Sequence, residues 1–522
     1  MSTMYGRSMT AAVAEGNKTE LPPRAAKSLQ IHDRTRVRMN IVKPSDLKGP
    51  GTDPAARNEN EHQDRTFGGI DRRVRPRRAT MKQTQKFANF AKSFRADPVQ
   101  DDVYVVAFVN SKSGGQAGGM IMSLLQDSLS KEGKEGKILG EVCDLSAKGE
   151  PDGTIASLAK LLRRKDLDLR LLVCGGDGTV TWILTAIEGC KALDGLQDRC
   201  PVGIAPLGTG NDLARSLGWG GRMGNVADIL NYIQWVAEAT PVRMDQWSLV
   251  LRPHGTVPKD HKLRSCGSHP QSVRDEVARK SLLENLKVAI EKDDLDPKSE
   301  LFLGFWQNYY SIGTDAKIAT GVDIARNSTW LGQKMFRLGL GKVCYAWQFL
   351  KSGVVSKFVT PAISDFKALE TYGPTPEGSD MMPDDIDPPL LERKVCGAPG
   401  GTMQLMLVNI NSYGAGMKCQ PAEAQARYKP SPSDGTFEVL GLRNAGCQAG
   451  MYAGIKGPTH MLSASCMGFT VAGGEYMQQD GEPWKLEQAC DVLIEPHRKV
   501  MMLRAPSKAH WRGHIDPAFW DS

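Results

Sequence analysis

Three glycine-rich stretches carry the residue types that phosphate chemistry needs. Gly175-Gly176-Asp177-Gly178-Thr179 follows the apolar run Leu171 to Cys174 and precedes the helical pattern Val180 to Glu188. Glycines let the backbone come close to an anion, and the helix behind them presents N–H groups and the positive end of a dipole. Gly175, Gly176, Gly178 and Thr179 are therefore candidate ligands of nucleotide phosphate. An aspartate in the middle of an anion-binding turn repels phosphate unless a divalent cation, directly or through water, stands between them. That makes Asp177 a candidate magnesium-site residue. A helix cap would account for the aspartate but has no need of three glycines.

The stretch Pro206-Leu207-Gly208-Thr209-Gly210-Asn211-Asp212 repeats the construction after Val202 to Ala205. Gly208, Thr209, Gly210 and Asn211 are candidate nucleotide-binding residues, with Thr209 and Asn211 as expected phosphate donors, and Asp212 is a second carboxylate. A third stretch, Asn110-Ser111-Lys112-Ser113-Gly114-Gly115, offers an amide, hydroxyls, a cation and N–H groups, with Asn110, Ser113 and Gly114 as its candidates. Neither a G-x-x-x-x-G-K-[ST] string nor a G-x-G-x-x-G string occurs, which excludes a P-loop enzyme and a typical dinucleotide fold.

These turns need a scaffold that brings them to one edge. The apolar runs Val103 to Val109, Leu169 to Cys174 and Val202 to Ala205 each end in a glycine-rich turn that leads into a helical pattern. Short, wholly apolar strands alternating with helices predict a parallel sheet buried on both faces, whose ligands collect at the carboxyl ends of the strands. After about residue 245 the texture changes to alternating segments: Trp247 to Leu251, Met403 to Ile410, Phe437 to Leu440, Phe469 to Val471 and Val492 to Ile494. They predict a second, mainly antiparallel β domain. The fold class expected is α/β: an N-terminal parallel-sheet nucleotide-binding domain over 101–243, then a β-rich domain over 244–505 and a tail over 506–522. His254 to Glu300, charged and partly helical, and Leu369 to Pro399 are expected insertions.

Composition excludes several classes. A chain of 522 residues is too long for a single small binding module. Mean hydropathy of −0.35 and the polar start predict neither a membrane span nor a secretory signal, and a cytoplasmic protein is expected. The 11 cysteines include no C-x-x-C pair, so neither structural zinc nor a disulfide framework is expected. About +10 of charge falls in residues 1 to 100, against +7 for the whole chain. Residues 1–80 read as a disordered basic tail ending in Arg72 to Arg78, and 81–100 as a short amphipathic helix with Phe87, Phe90 and Phe94 on one face. The tail suits a polyanion, a membrane surface or RNA; the folded body is not expected to bind nucleic acid. Phe336 to Lys357 mixes apolar and basic residues, as either a surface-seated membrane helix or an internal helix would.

The chain resembles the lipid kinases of the diacylglycerol kinase type. The residues that carry the resemblance are Val109 to Gly115, Gly175 to Val180, Pro206 to Arg215 with Leu217-Gly218-Trp219-Gly220, Met244-Asp245-Gln246-Trp247, Asn308 to Gly313, Asp434-Gly435 ahead of Glu438-Val439, and Asp480-Gly481-Glu482-Pro483-Trp484. The resemblance implies a catalytic domain followed by an accessory domain, ATP and Mg2+ as cofactors, and transfer of phosphate to diacylglycerol to give phosphatidic acid. It implies that Asp177, Asp212 and Asp245 form the carboxylate set around the metal. It implies that Asp177 and Glu482 are catalytic, with Glu482 as the base facing the lipid hydroxyl. Diacylglycerol and an anionic membrane surface are the partners implied, with a peripheral-membrane location; the oligomeric state is left open. Another lipid alcohol as acceptor (monoacylglycerol, sphingosine or ceramide) and a catalytically silent lipid-sensing scaffold are the alternatives. Ser111 stands where the family usually has proline and Thr181 where glycine is common. The paired zinc modules of many animal members are absent from the sequence.

Overall fold

The computed structural model describes residues 103–111, 117–131, 138–163, 167–208, 210–255, 269–328, 347–348, 363–370, 402–420, 430–452, 455, 457–507 and 509. The basic tail, the 81–100 helix, most of Phe336 to Lys357, most of Leu369 to Pro399, and Lys112, Ser113, Gly114 and Thr209 lie outside the described residues.

The first half is a parallel sheet. Strands β1 (Val103–Val109), β2 (Leu129–Ser130), β3 (Ile138–Asp144), β4 (Asp168–Gly175) and β5 (Val202–Pro206) stand in the order β2-β3-β1-β4-β5. Every adjacent pair in that order is parallel. All seven residues of β1 are buried, as expected of a strand covered by helices on both faces. The helices are α1 (Ala117–Ser128), α2 (Asp152–Leu162), α3 (Asp177–Gly189), α4 (Asp212–Ser216) and α5 (Ile229–Glu238). In α5, Ile229, Leu230, Ile233 and Val236 recur at the spacing of one helix face, and all are buried in the core beneath the sheet.

The second half is antiparallel. Strands β6 (Thr240–Pro253) and β16 (Cys490–Arg504) pair along their whole length, with one irregularity between Pro496 and Arg498. The two-residue strand β7 (Gln271–Ser272) pairs with β8 (Phe302–Trp306), which pairs with β6. On the other side of β16 the order runs β13 (Thr459–Val471), β12 (Phe437–Leu442), β11 (Gln404–Val408), β9 (Tyr309–Gly313), β14 (Tyr476–Gln479) and β15 (Glu482–Lys485), with β10 (Ile363–Glu370) also on β13. Although β8 and β9 are joined by only Gln307-Asn308, they pair with different neighbours, so this turn is a corner between two arms of sheet. Trp247, Trp306, Phe437 and Phe469 fill the core between the arms. Trp247 and Trp306 stack at 5.9 Å, and Phe437 meets Trp247 edge-on at 4.8 Å. Helix α6 (Glu276–Ile290) confirms that the 254–300 segment is partly helical, and α7 (Thr314–Ser328) follows β9.

The two halves share one continuous sheet. Met502 near the end of β16 pairs in parallel with Val202 of β5, and Val500, Met502 and Leu503 enter the core of the first half. Trp219 donates its indole N–H to the Leu503 carbonyl at 2.7 Å, and Ala505 N donates to Leu217 O at 2.9 Å. The chain's return thus ties the second half back to the edge of the parallel sheet.

Candidate active site

The turn after β4 is built for close backbone approach. Gly176 precedes α3 in an extended conformation and no side chain caps the helix, so the N–H groups ahead of Thr179, whose own N–H donates to Gly176 O at 3.0 Å, are left for a ligand. The turn rests against the one after β5. A Cβ on Gly176 would lie 3.0 Å from Gly208 Cα, one on Gly208 would lie 2.6 Å from Gly176 Cα, and Leu207 N donates to Gly175 O at 3.0 Å. A Cβ on Gly175 would overlap Thr179 at 2.6 Å. Glycine is needed here for space, since Gly175, Gly176 and Gly208 all avoid the left-handed region.

Asn211 departs from its expected role. It sits in the left-handed region (φ 54°) and spends both amide hydrogens on the Gly208 and Gly221 carbonyls, at 2.9 Å each, while accepting from Gly208 N at 3.0 Å. Its amide therefore holds the turn closed and has no donor left for phosphate.

Two of the three expected metal carboxylates converge. A Cβ on Gly210 would lie 3.3 Å from Asp212 Oδ2 and 3.5 Å from Asp177 Oδ2, so both oxygens face the space beside that glycine. Asp177 accepts the N–H groups of Asp212 (3.0 Å) and Leu213 (3.1 Å), which fastens the first turn of α4 to the first turn of α3. Burial and the nearby Asp212 charge raise the Asp177 pKa, against the pull of those two N–H groups, and Asp480 adds to the rise. Asp212 is enclosed by the second half of the chain: it accepts from Ser412 Oγ at 2.7 Å, Ala415 N at 3.1 Å and Gly416 N at 2.8 Å, with Tyr309 Oη at 3.4 Å.

The structure does not bring Asp245 to this pair. Its carboxylate accepts from Gly435 N at 2.7 Å and lies 3.6 Å from Lys499 Nζ. Among the described residues no group of three or more His, Cys, Asp or Glu side chains is placed to hold a metal ion. The carboxylate that stands with Asp177 and Asp212 is Asp480. Asp480 and Gly481 both have positive φ (47° and 86°), the signature of the Asp-Gly hairpin turn between β14 and β15. The Asp480 side chain accepts the N–H groups of Gln307 (3.2 Å), Asn308 (2.9 Å) and Tyr309 (3.1 Å), so it organises the β8–β9 corner. Burial raises its pKa to about 7, with the Asp212 charge adding to the rise. The Asp-Gly dipeptide was the sequence signal that could have found it.

Glu482 opens β15, directly after this turn, and is part exposed; its one ion-pair partner among the described residues is His269 Nε2 at 3.5 Å. Trp484 is buried in the second core. At the remaining turn, Asn110 follows β1 and Ser111 Oγ donates to Asp144 Oδ2 at 2.6 Å, a bond that a proline could not make. Burial works against the charged form of Asp144, yet hydrogen bonds from Ser111 and Ser146 hold its pKa down at about 2. Thr181, the other departure, is wholly buried: its hydroxyl donates to the Asp177 carbonyl at 3.2 Å and accepts from the Gln307 side chain.

This arrangement sets the glycine-turn edge of one half of the chain against the Asp480 turn of the other. Residues 104–241 match the family model described as diacylglycerol kinase catalytic domain, and residues 305–483 match the diacylglycerol kinase accessory domain. The chain belongs to the diacylglycerol kinase family. Diacylglycerol kinase 7 of Arabidopsis thaliana is 28% identical over 414 residues, covering 74% of this chain and 77% of that protein. Diacylglycerol kinase 4 of the same plant is 27% identical over 443 residues, covering 77% and 82%. The eye-specific diacylglycerol kinase of Drosophila melanogaster is 28% identical over 422 residues, covering 80% of this chain and 24% of that longer protein. The reaction is phosphorylation of diacylglycerol with ATP as donor.

Proposed function

We propose that the chain carries out this phosphorylation at a membrane surface, with magnesium held at Asp177 beside Asp212 and with Glu482 as the base for the lipid hydroxyl. The observation that carries the reading is the meeting of Asp177, Asp212 and Asp480 beside the glycine turns, where burial and, after it, the Asp212 charge raise the pKa of Asp177 and of Asp480. Within this set a divalent cation fits at Asp177. Asp177 has one N–H on each oxygen and keeps lone pairs free, whereas Asp212 is saturated by donors and contributes charge. Magnesium is bound through one or two carboxylates, with substrate phosphate and water completing its shell. When bound, it would supply neutralisation of the charge on the transferring phosphoryl group.

The chain's own residues do the rest. The first turn of α3 and the bare backbone of Gly175 and Gly176 hold phosphate; the Asp480 turn sets the position of Glu482; and Glu482 withdraws the proton of the acceptor hydroxyl, an effect worth ~10² to 10⁴ in rate. Among the described residues no helix is long and apolar enough to cross a membrane. The substrate's acyl chains stay in the bilayer, so the cleft must face it. Helix α7 packs on the β14–β15 hairpin; its Ile324 exposes 51% of its surface, and Trp347, whose neighbour Gln348 is bonded to Gly321 of α7 at 3.3 Å, exposes 65%. They are suited to rest on lipid. A magnesium titration of labelled phosphate transfer to diacylglycerol tests the reading. Asp177→Asn is expected to lose at least ~100-fold in turnover and to shift the magnesium requirement upward; an unchanged requirement would remove Asp177 from the metal site.

A further inference from the structure

We propose that His269, contributed by the 254–300 segment, is a positioning residue for Glu482 in phosphoryl transfer; this rests on the reading of Glu482 as the base. The segment leaves the end of β6 and returns through β7, whose Gln271 and Ser272 register with Leu303 and Phe302 of β8. Val273 N adds a bond to Leu301 O at 2.8 Å. This short pairing fixes the residues just before it. Pro270 lies over Gly304: a Cβ there would come within 3.1 Å of Pro270 Cγ and 3.2 Å of its Cα, so a bare glycine is what admits the segment to the sheet. The far end is pinned as well, by Lys292 Nζ donating to the buried Asp491 at 2.8 Å.

His269 is thereby held at the hairpin that carries the base. Its ring is 4% exposed and stands edge-on to Trp484, centroids 6.0 Å apart at 79°. Nε2 is 3.5 Å from Glu482 Oε2, and Nδ1 has no hydrogen-bond partner among the described residues. Glu482 needs such a partner. Strand β15 pairs only with β14, and 37% of the Glu482 side chain is exposed, so without His269 nothing described fixes its rotamer. A proton on Nε2 would engage one carboxylate oxygen and leave the other to face the acceptor hydroxyl. A separation of 3.5 Å leaves a bond that can tighten in the reactive complex.

The test compares kcat and the KM values for diacylglycerol and for ATP in mixed micelles across wild type, His269→Leu, His269→Gln, Glu482→Gln and the His269→Leu/Glu482→Gln double variant. Misplacing a reacting group can cost ~100-fold, so His269→Leu is expected to lower kcat by at least ~10-fold with the KM for ATP unchanged. His269→Gln, whose amide can reach Glu482, should recover most of that loss. In the Glu482→Gln background His269→Leu should cost less than ~2-fold, because the two act as a unit. If His269→Leu fails to fold, His269→Asn, too short to reach, replaces it against His269→Gln. Wild-type kcat in His269→Leu, or an equal loss in both backgrounds, would overturn the proposal. Normal turnover in Glu482→Gln alone would overturn the base reading, and the role of His269 with it.

Discussion

Gln307 donates its side-chain amide to Thr181 Oγ1, and Thr181 Oγ1 donates to the Asp177 carbonyl at 3.2 Å. One hydroxyl thus connects helix α3 of the first half to the β8–β9 corner of the second, the corner whose N–H groups are held by Asp480.

Thr181→Val keeps the shape and removes the hydroxyl. The Gln307 amide, wholly buried, is left without that acceptor, and a cost of ~1 to 3 kcal/mol in stability is expected. Turnover should fall further than stability alone explains, because the two halves lose their alignment. Thermal unfolding together with kcat measures both; a variant with unchanged melting temperature and unchanged kcat would show that this contact couples nothing.

Gly176→Asp should abolish turnover while the protein stays folded. The added Cβ would stand 3.0 Å from Gly208 Cα, and its carboxylate would occupy the space where phosphate meets backbone. Retention of more than ~10% of wild-type rate, a loss under ~1.4 kcal/mol in transition-state stabilisation, would mean that this loop does not hold ATP.

Asp315 predicts a pH dependence of stability. Burial raises its pKa to about 6, against hydrogen bonds from Ser311 and Gln478 that favour its charge. The folded state therefore holds a proton that the unfolded state has lost, so this contribution is complete below about pH 4 and is lost as pH rises through about 6. Asp315→Asn should flatten the stability curve between these limits by ~1.4 kcal/mol per pH unit. Denaturant titrations at several pH values give the slopes directly, and identical slopes in variant and wild type would refute the assignment.

The parts of the fold that the sequence made legible are those whose residues speak locally. Strands β1, β4 and β5 are short, wholly apolar and followed by glycine turns, and each was recognisable from those features. Strand β3, Ile138–Asp144, was missed because its burial is mixed (Leu139, Glu141 and Val142 are only part buried), which weakens the apolar signal. Long-range partnerships were not legible at all. Asp212 meets Ser412 and Gly416 about two hundred residues away, and no local pattern marks Ser412 as its partner. The resemblance groups Asp245 with Asp177 and Asp212, whereas the structure engages Asp245 with Gly435 and Lys499 and stands Asp480 beside the other two, a partnership that only the sheet's register displays.

The basic tail has its own test. Arg72 to Arg78 and the Phe87, Phe90 and Phe94 face precede the catalytic half, and anionic lipid attracts such a segment by ~1 kcal/mol per basic residue near the surface. Deleting residues 1–80 together with Lys92→Glu and Arg95→Glu should spare activity on detergent-dispersed substrate. It should reduce binding and turnover on anionic vesicles, most visibly at low salt, where the Debye length is long. Equal activity on those vesicles at every salt concentration would assign the tail another role.

The central claim, that Glu482 acts on the lipid hydroxyl across a cleft whose other wall is the Asp177 turn, is tested most directly by labelled phosphate transfer from ATP to diacylglycerol in mixed micelles, wild type against Glu482→Gln. The account predicts labelled phosphatidic acid from wild type, a loss of at least ~100-fold in turnover in the variant, and nucleotide affinity within ~2-fold. Wild-type turnover in Glu482→Gln would contradict it.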